Sequence, residues 1–265
     1  MGFVQDLARF EFLRISFVGG ILVAVLAAIV SPFVVFRRME FIGDGTAHAT
    51  FAGLALAFLL GLDHRVVSLL TAIAFALSVS ALSRRRVSEN SAIGILLSFF
   101  MALGMILFSL PKRYKANVIG FLFGDILLVN KTDVWMTLFV LTFVLVFLIA
   151  FRWEIKYFLV DEEMAKFFKL KTGFVKVFIL LFISLVVVTI VKVVGIVLTS
   201  AMLIIPGMVA KAFARGFSSL LLVSVIYNFV TFVLGFYLAY RFDLPPGPCI
   251  VMVSFSLFLP VLKFL

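Results

Sequence analysis

Asp44 and His48 are the residues of this sequence whose types and spacing point most directly to chemistry. They lie four residues apart at the start of an apolar segment, so a helix would place both side chains on one face, one turn apart. A carboxylate and a histidine inside a membrane segment are energetically costly and are usually functional. The alternative interpretation is an ordinary buried Asp–His hydrogen bond that holds two helices together.

The chemistry that this pair favours is the binding of a divalent metal ion. A carboxylate together with a neutral imidazole suits zinc, manganese or iron(II). Two ligands are too few for a closed four-ligand site, which favours a transit site completed by water, by a second copy or by a partner chain. A proton relay would use the same residue types, so these residues alone do not choose between a metal ion and a proton.

The composition places the pair in a membrane. The chain has 265 residues, is 65% hydrophobic and has a mean hydropathy of +1.28, well above the range of soluble domains. Its apolar runs have the length that a helix needs to cross a lipid bilayer, which predicts an all-α, polytopic transmembrane helical bundle forming a single domain over residues 1–265. The net charge of +10 is interpreted as the positive-inside bias of cytoplasmic loops, not as a sign of nucleic-acid binding.

The hydropathy pattern predicts an interfacial helix over residues 3–14 and nine spans, or eight if one is re-entrant. The predicted spans are residues 15–36, 42–62, 66–82, 91–110, 134–151, 174–194, 196–212, 217–240 and 248–264, with residues 117–130 as a half-depth segment. Placing the basic loops in the cytoplasm puts the N-terminus outside and Asp44 near the cytoplasmic start of the second span.

The longest polar stretch, residues 152–173, is the second informative region. Within it, residues 161–171 begin acidic and end basic, which complements a helix dipole, and Asp161 is a candidate N-cap. Met164, Phe167 and Phe168 share one helical face. By itself this pattern favours a cytoplasmic helix docked on a partner and a helix lying flat on the lipid surface about equally.

Sequence motifs for catalysis are missing from the chain. It contains no Gly-x-x-x-x-Gly-Lys-Ser/Thr, no His-Glu-x-x-His and no Gly-x-Ser-x-Gly. Ser200 lies in a predicted span, but the only histidines are His48 and His64, so no second membrane histidine is present to act as its base. We therefore expect no catalytic residues, and ATP hydrolysis only on a separate subunit.

Five blocks in order along nearly the whole chain resemble the permease subunit of zinc/manganese/iron ABC importers. They comprise residues 31–49 (which contain Gly43-Asp44-x-x-Ala47-His48), 89–95, 121–127, 194–206 and 243–248. The resemblance implies a type II-like ABC importer permease that forms one translocation pathway as a homodimer in the inner (plasma) membrane of a prokaryote. It also implies cytoplasmic ATP-binding subunits, which bind the ATP, and an extracytoplasmic metal-binding protein. No cofactor is expected on this chain, and the metal ion is the cargo.

The resemblance also implies roles for individual residues. It places Asp44 and His48 in the metal pathway and makes residues 152–173 a cytoplasmic coupling segment that docks on the ATPase. The predicted coupling residues are Asp161, Glu162, Glu163, Ala165, Phe167 and Phe168. The residues predicted to serve the pathway or helix packing are Gly43, Gly45, Thr199, Ser200 and Pro206.

The sequence leaves three alternative functions open. They are an ABC permease for a metal chelate such as cobalamin or haem, a proton-coupled secondary transporter without an ATPase, and a structural membrane scaffold without cargo. A chelate permease would not need the Asp–His pair, and co-purification with an ATP-binding subunit separates an ABC permease from a secondary transporter. The sequence does not choose among zinc, manganese and iron.

Overall fold

The computed structural model describes residues 2–85, 87–110, 126–160 and 172–264, and every regular element in these ranges is a helix. The elements are α1 (Phe3–Arg9), α2 (Glu11–Phe36), α3 (Ile42–Leu60), α4 (His64–Ser83), α5 (Glu89–Ser109), α6 (Lys131–Ala150), α7 (Arg152–Val160), α8 (Thr172–Phe213), α9 (Phe217–Phe242) and α10 (Pro246–Phe258), with 3₁₀ helices at Ile126–Leu128 and Leu259–Phe264. The prediction of an all-α polytopic bundle is confirmed.

Seven helices among the described residues are long and apolar enough to cross a membrane, whereas the sequence predicted eight or nine. The difference has two physical causes. Asp44 and His48 lower the hydropathy of α3, which is helical where the second span was predicted but is not among the seven. In addition, α8 runs through the regions predicted as the sixth and seventh spans.

The long helix α8 contains a break at Gly195. Its 42 residues would extend about 63 Å as one straight helix, roughly twice the apolar thickness of a bilayer. The backbone leaves the helical region at Gly195, where φ is 78° and ψ is 173°, a conformation that favours glycine. The Thr199 hydroxyl donates to the Gly195 carbonyl at 2.5 Å. The break therefore falls where the sequence separates the two predicted spans.

The N-terminal segment is also divided, because Phe10 adopts an extended conformation between α1 and α2. The apolar face of α1 packs on protein: the Phe3 ring lies 5.8 Å from that of Phe17 and 5.1 Å from that of Tyr240. The Tyr240 hydroxyl also donates to the carboxylate of Asp6. The predicted helix over residues 3–14 is thus a short docked helix followed by the start of α2.

The internal contacts divide the chain into two compact units. The first comprises Met1–Val35, Ile119–Thr142 and Thr189–Leu265, and the second comprises Phe36–Val118 and Phe143–Val188. The first unit is built around α2, whose most apolar window is 78% buried. A Cβ atom at Gly20 would overlap the Phe232 ring, and the Asn228 side chain donates to the Ala24 carbonyl at 2.8 Å. Helices α2 and α9 therefore approach closely through small and polar residues.

Contacts between helix ends agree with the alternating helix directions predicted from the loops. In the first unit, Lys131 at the start of α6 pairs with Glu11 at the start of α2 at 2.6 Å. Both ends were predicted on the outer side. In the second unit, Glu89 pairs with Arg37 and Lys176, and all three were predicted at the cytoplasmic side.

Candidate metal pathway site

Helix α3 of the second unit carries Asp44 and His48 on a partly exposed strip of its first three turns, termed the open strip. From Ile42 to Gly53 every residue is buried except these two, which are partly exposed. The pair is therefore on a common face, as the spacing predicted, and this face is the part of the helix segment that neighbouring helices leave uncovered.

Small residues explain why the rest of the stretch from Ile42 to Gly53 is buried. A Cβ atom at Gly45 would overlap the Phe75 ring of α4 and lie 3.3 Å from Ile93 of α5. At Gly53, an added Cβ would come within 3.0 Å of the Ser68 backbone. With no side chains at these positions, α4 and α5 pack directly against α3.

The start of α8 covers a further side of α3. The Thr46 and Ser184 hydroxyls lie 3.4 Å apart, and both side chains are fully or almost fully buried. Three helices thus fix the rotation of α3 about its axis. Because the rotation is fixed, the direction in which Asp44 and His48 face is fixed as well.

Asp44 is the third residue of α3, in its first turn. The first turn of a helix presents N–H groups without intrahelical partners and the positive end of the helix dipole, so a carboxylate there is stabilised. The N-cap residue, Phe41, offers no side-chain hydrogen bond to this turn. His48 follows one turn deeper along the same strip.

A carboxylate oxygen of Asp44 and an imidazole nitrogen of His48 are the two donor atoms predicted to bind a divalent ion. Across the described ranges, no group of three or more His, Cys, Asp or Glu side chains is placed to hold a metal ion. A carboxylate and an imidazole can bind zinc, manganese or iron(II) weakly, and a metal ion that must leave again needs weak binding. Further ligands would have to come from water or from another chain.

The other predicted residues are distributed between the two units. Gly43 and Gly45 are buried in α3 of the second unit. Thr199, Ser200 and Pro206 belong to the first unit, where the Ser200 hydroxyl donates to the Ile196 carbonyl at 3.3 Å. Pro206 is buried. Gly45 has a packing contact that explains its type, whereas a pathway role for Thr199, Ser200 or Pro206 stays a prediction.

The predicted coupling segment is described only in part. Its first residues form α7, Arg152–Val160. The predicted coupling residues Asp161, Glu162, Glu163, Ala165, Phe167 and Phe168 lie outside the described residues, so their role stays a prediction.

The sequence analysis did not predict two sets of ion pairs, one centred on Glu89 and one formed by Lys192 and Asp133. Glu89 pairs with Arg37 at 2.9 Å and with Lys176 at 2.6 Å. In the first unit, Lys192 of α8 pairs with Asp133 of α6. The signal for the second pair was Lys192 itself, a charged residue within the predicted apolar span 174–194. No sequence pattern links Glu89 to residues 52 positions before and 87 positions after it.

The fold and the site together define a class: a multi-span helical membrane protein with an acid–imidazole pair on one helix, which suits it to transport. The model of the ABC 3 transport family matches residues 9–264. Because the match covers almost the whole chain, the chain belongs to the ABC 3 transport family, and it is embedded in a membrane. The family is one of transport proteins, as the resemblance of the five sequence blocks implied.

Two similar proteins and one similar solved structure cover nearly the whole chain. A Thermotoga maritima protein named "Probable metal transport system membrane protein" is 57% identical over 264 residues, covering 100% of this chain and 94% of that protein. The "Manganese transport system membrane protein MntC" of Listeria monocytogenes is 30% identical over 259 residues, covering 97% and 92%. A solved structure of PsaBC from Streptococcus pneumoniae in complex with Fab is 31% identical with a TM-score of 0.85, covering 98% and 94%.

Proposed function

We propose that this chain is the membrane subunit of an ATP-driven importer of a divalent transition metal ion, namely zinc, manganese or iron. The observation that carries the proposal is the open strip of α3, where Asp44 and His48 alone escape burial between Ile42 and Gly53. An acid and an imidazole inside a membrane segment are energetically costly, and such residues are usually functional. The names of the Thermotoga and Listeria relatives support a metal as the cargo.

The proposed importer works as a homodimer. One chain offers two ligands from α3, and a second copy related by a two-fold axis would offer the same two. Four ligands around one pathway would suffice for an ion that is stripped of most of its water. Alternating access would then present this shared site to one side of the membrane at a time.

The energy and the ion come from other chains in this proposal. The sequence has no phosphate-binding Gly-x-x-x-x-Gly-Lys-Ser/Thr motif, so ATP is assigned to cytoplasmic subunits that dock on residues 152–173. An extracytoplasmic metal-binding protein delivers the ion. The membrane is the inner (plasma) membrane of a prokaryotic cell.

Metal uptake into proteoliposomes that contain the complete complex tests the proposal. With radioactive manganese as cargo, we expect Asp44→Asn and His48→Gln each to lower the uptake rate by at least about tenfold, because each replaces a proposed ligand with a neutral amide that binds the ion more weakly. The matched control is Asp63→Asn, the same change at an exposed aspartate that caps α4.

Several outcomes bear on this proposal. Competition by unlabelled zinc, iron(II) and manganese ranks the cargo ions. Wild-type rates in both α3 variants would contradict the assignment of the pathway. Loss of uptake in Asp63→Asn to the same degree would show that the effect is not specific to α3.

A further inference from the structure

Glu89 lies at the centre of a small charged cluster in the second unit. Its Oε1 atom is 2.9 Å from the guanidinium of Arg37 and 2.6 Å from the ammonium of Lys176. The side chains are only 12%, 15% and 19% exposed, respectively. One carboxylate oxygen thus serves two cations in a place that water reaches poorly.

The position of Glu89 is fixed by the start of α5. It is the first residue of that helix, and the preceding Ser88 is the N-cap, whose hydroxyl accepts from the Ser91 N–H at 3.1 Å. A carboxylate in the first turn is also favoured by the helix dipole. The backbone at Glu89 is therefore held in place, and the two long cationic side chains of Arg37 and Lys176 extend to its carboxylate.

The two cations belong to segments with different functional assignments. Arg37 lies between α2 and α3 and leads directly into the helix that carries Asp44 and His48. Lys176 lies in α8, which begins immediately after the predicted coupling residues 161–171. Each of these two segments therefore forms an ion pair with the same carboxylate, that of Glu89.

Sharing one oxygen makes the cluster responsive to movement of either segment. If α8 shifts and Lys176 withdraws, the carboxylate keeps Arg37 as a partner and attracts it more strongly, because the competing positive charge has gone. In a poorly hydrated place a lost partner is costly, so the cluster favours discrete arrangements over a continuous range. Such a two-state element can pass a displacement from one helix to another.

We propose that Glu89 is a positioning residue that transmits the movement of α8 to the entry of α3, and thereby couples ATP hydrolysis to the state of the Asp44–His48 site. This inference rests on the proposed function. Glu89 itself does not touch the cargo in this mechanism. It acts through Arg37 and Lys176.

The test measures metal uptake and ATP hydrolysis in the same proteoliposomes of the complete complex, and compares their ratio. For Glu89→Gln we expect ATP hydrolysis to persist while the number of manganese ions moved per ATP falls by about tenfold. The matched control is Glu40→Gln, which removes a carboxylate from the same loop region as Arg37. Glu40 makes no ion pair with any described residue.

A double variant separates an effect on coupling from an effect on folding and assembly. If Glu89→Gln does not assemble, the double variant Glu89→Gln/Lys176→Met removes the stranded lysine charge and should restore assembly. We expect the assembled double variant to remain uncoupled, since the link to α8 is gone. A role in stability alone predicts instead that it regains the wild-type ratio.

The outcomes separate this inference from the proposed function. If the wild-type complex moves no metal, the proposed function fails and this inference fails with it. If the wild type moves metal and Glu89→Gln keeps its ratio of ions to ATP, only the inference is overturned. A low ratio in Glu89→Gln with a normal ratio in Glu40→Gln supports it.

Discussion

Asp133 and Asp44 are both the third residue of an apolar helix, α6 in one unit and α3 in the other. Asp133 is 7% exposed, pairs with Lys192, and exchanges hydrogen bonds with Asn130 across the start of α6. Asp44 is partly exposed and has His48 one turn away on the same open strip. A buried acid paired with a lysine of another helix is typical of a structural role, whereas a partly exposed acid one turn from a partly exposed imidazole is typical of a site that binds a cation.

The largest effect in this comparison is expected from removing the lysine that pairs with Asp133. Lys192→Met leaves a carboxylate at a buried position, so we expect a loss of about 2–3 kcal/mol in unfolding free energy, below the roughly 3–5 kcal/mol of a fully buried pair because Lys192 is 41% exposed. The double variant Asp133→Asn/Lys192→Met should recover most of the loss, because neither charge remains. Denaturant titration in detergent measures each variant.

Asp44→Asn provides the contrast in the same titration. We expect its unfolding free energy to fall by less than half as much as that of Lys192→Met. In the uptake assay, by contrast, Asp44→Asn should lower the transport rate far more than Lys192→Met does. Equal destabilisation by the two changes would mean that Asp44 is structural like Asp133, and the comparison would fail.

A smaller effect is expected from the packing that orients the open strip. Gly45→Ala brings a methyl group into the Phe75 ring, so we expect a loss of about 1–3 kcal/mol from overpacking. Gly94→Ala in α5 is the matched control, because an added Cβ there meets nothing within 4 Å. Its effect should be neutral or stabilising by up to about 1 kcal/mol, since alanine favours helix more than glycine does. The same titration checks both, and equal losses would contradict the packing argument.

The smallest expected effect concerns Asp63, an exposed acid outside the spans. Hydrogen bonds from the Val66 and Arg65 N–H groups hold the pKa of Asp63 below its ordinary value of 3.8. A lowered folded-state pKa means that the carboxylate stabilises the protein above the unfolded-state pKa, and that this contribution is lost as the pH falls through the folded-state pKa.

Melting curves as a function of pH check this contribution. At neutral pH, Asp63→Ala should melt slightly below the wild type, because α4 loses its cap. The gap should close as the pH falls below 3.8 and through the lowered pKa. Asp63→Asn keeps a capping side chain that does not titrate, so its advantage over Asp63→Ala should persist at low pH. A gap between the wild type and Asp63→Ala that stays constant with pH would contradict the prediction.

Much of the helical content followed from local signals. The apolar runs predicted the helices, and Gly195 predicted the break in α8 because glycine readily adopts a positive φ. The span count was less well predicted, since Asp44 and His48 make α3 the most ambiguous segment by hydropathy. The break at Phe10 was missed, because amphipathic periodicity continues across it.

The sequence by itself determined that Asp44 and His48 share a face, because a spacing of four residues is one turn in any helix. Only the tertiary structure decided that this face is the one left open, since that depends on how α4, α5 and α8 cover α3. It also decided which acids are neutralised internally. The Asp133–Lys192 and Glu89–Lys176 pairs join residues 59 and 87 positions apart. Contacts over such separations arise from packing between helices, which no local pattern encodes.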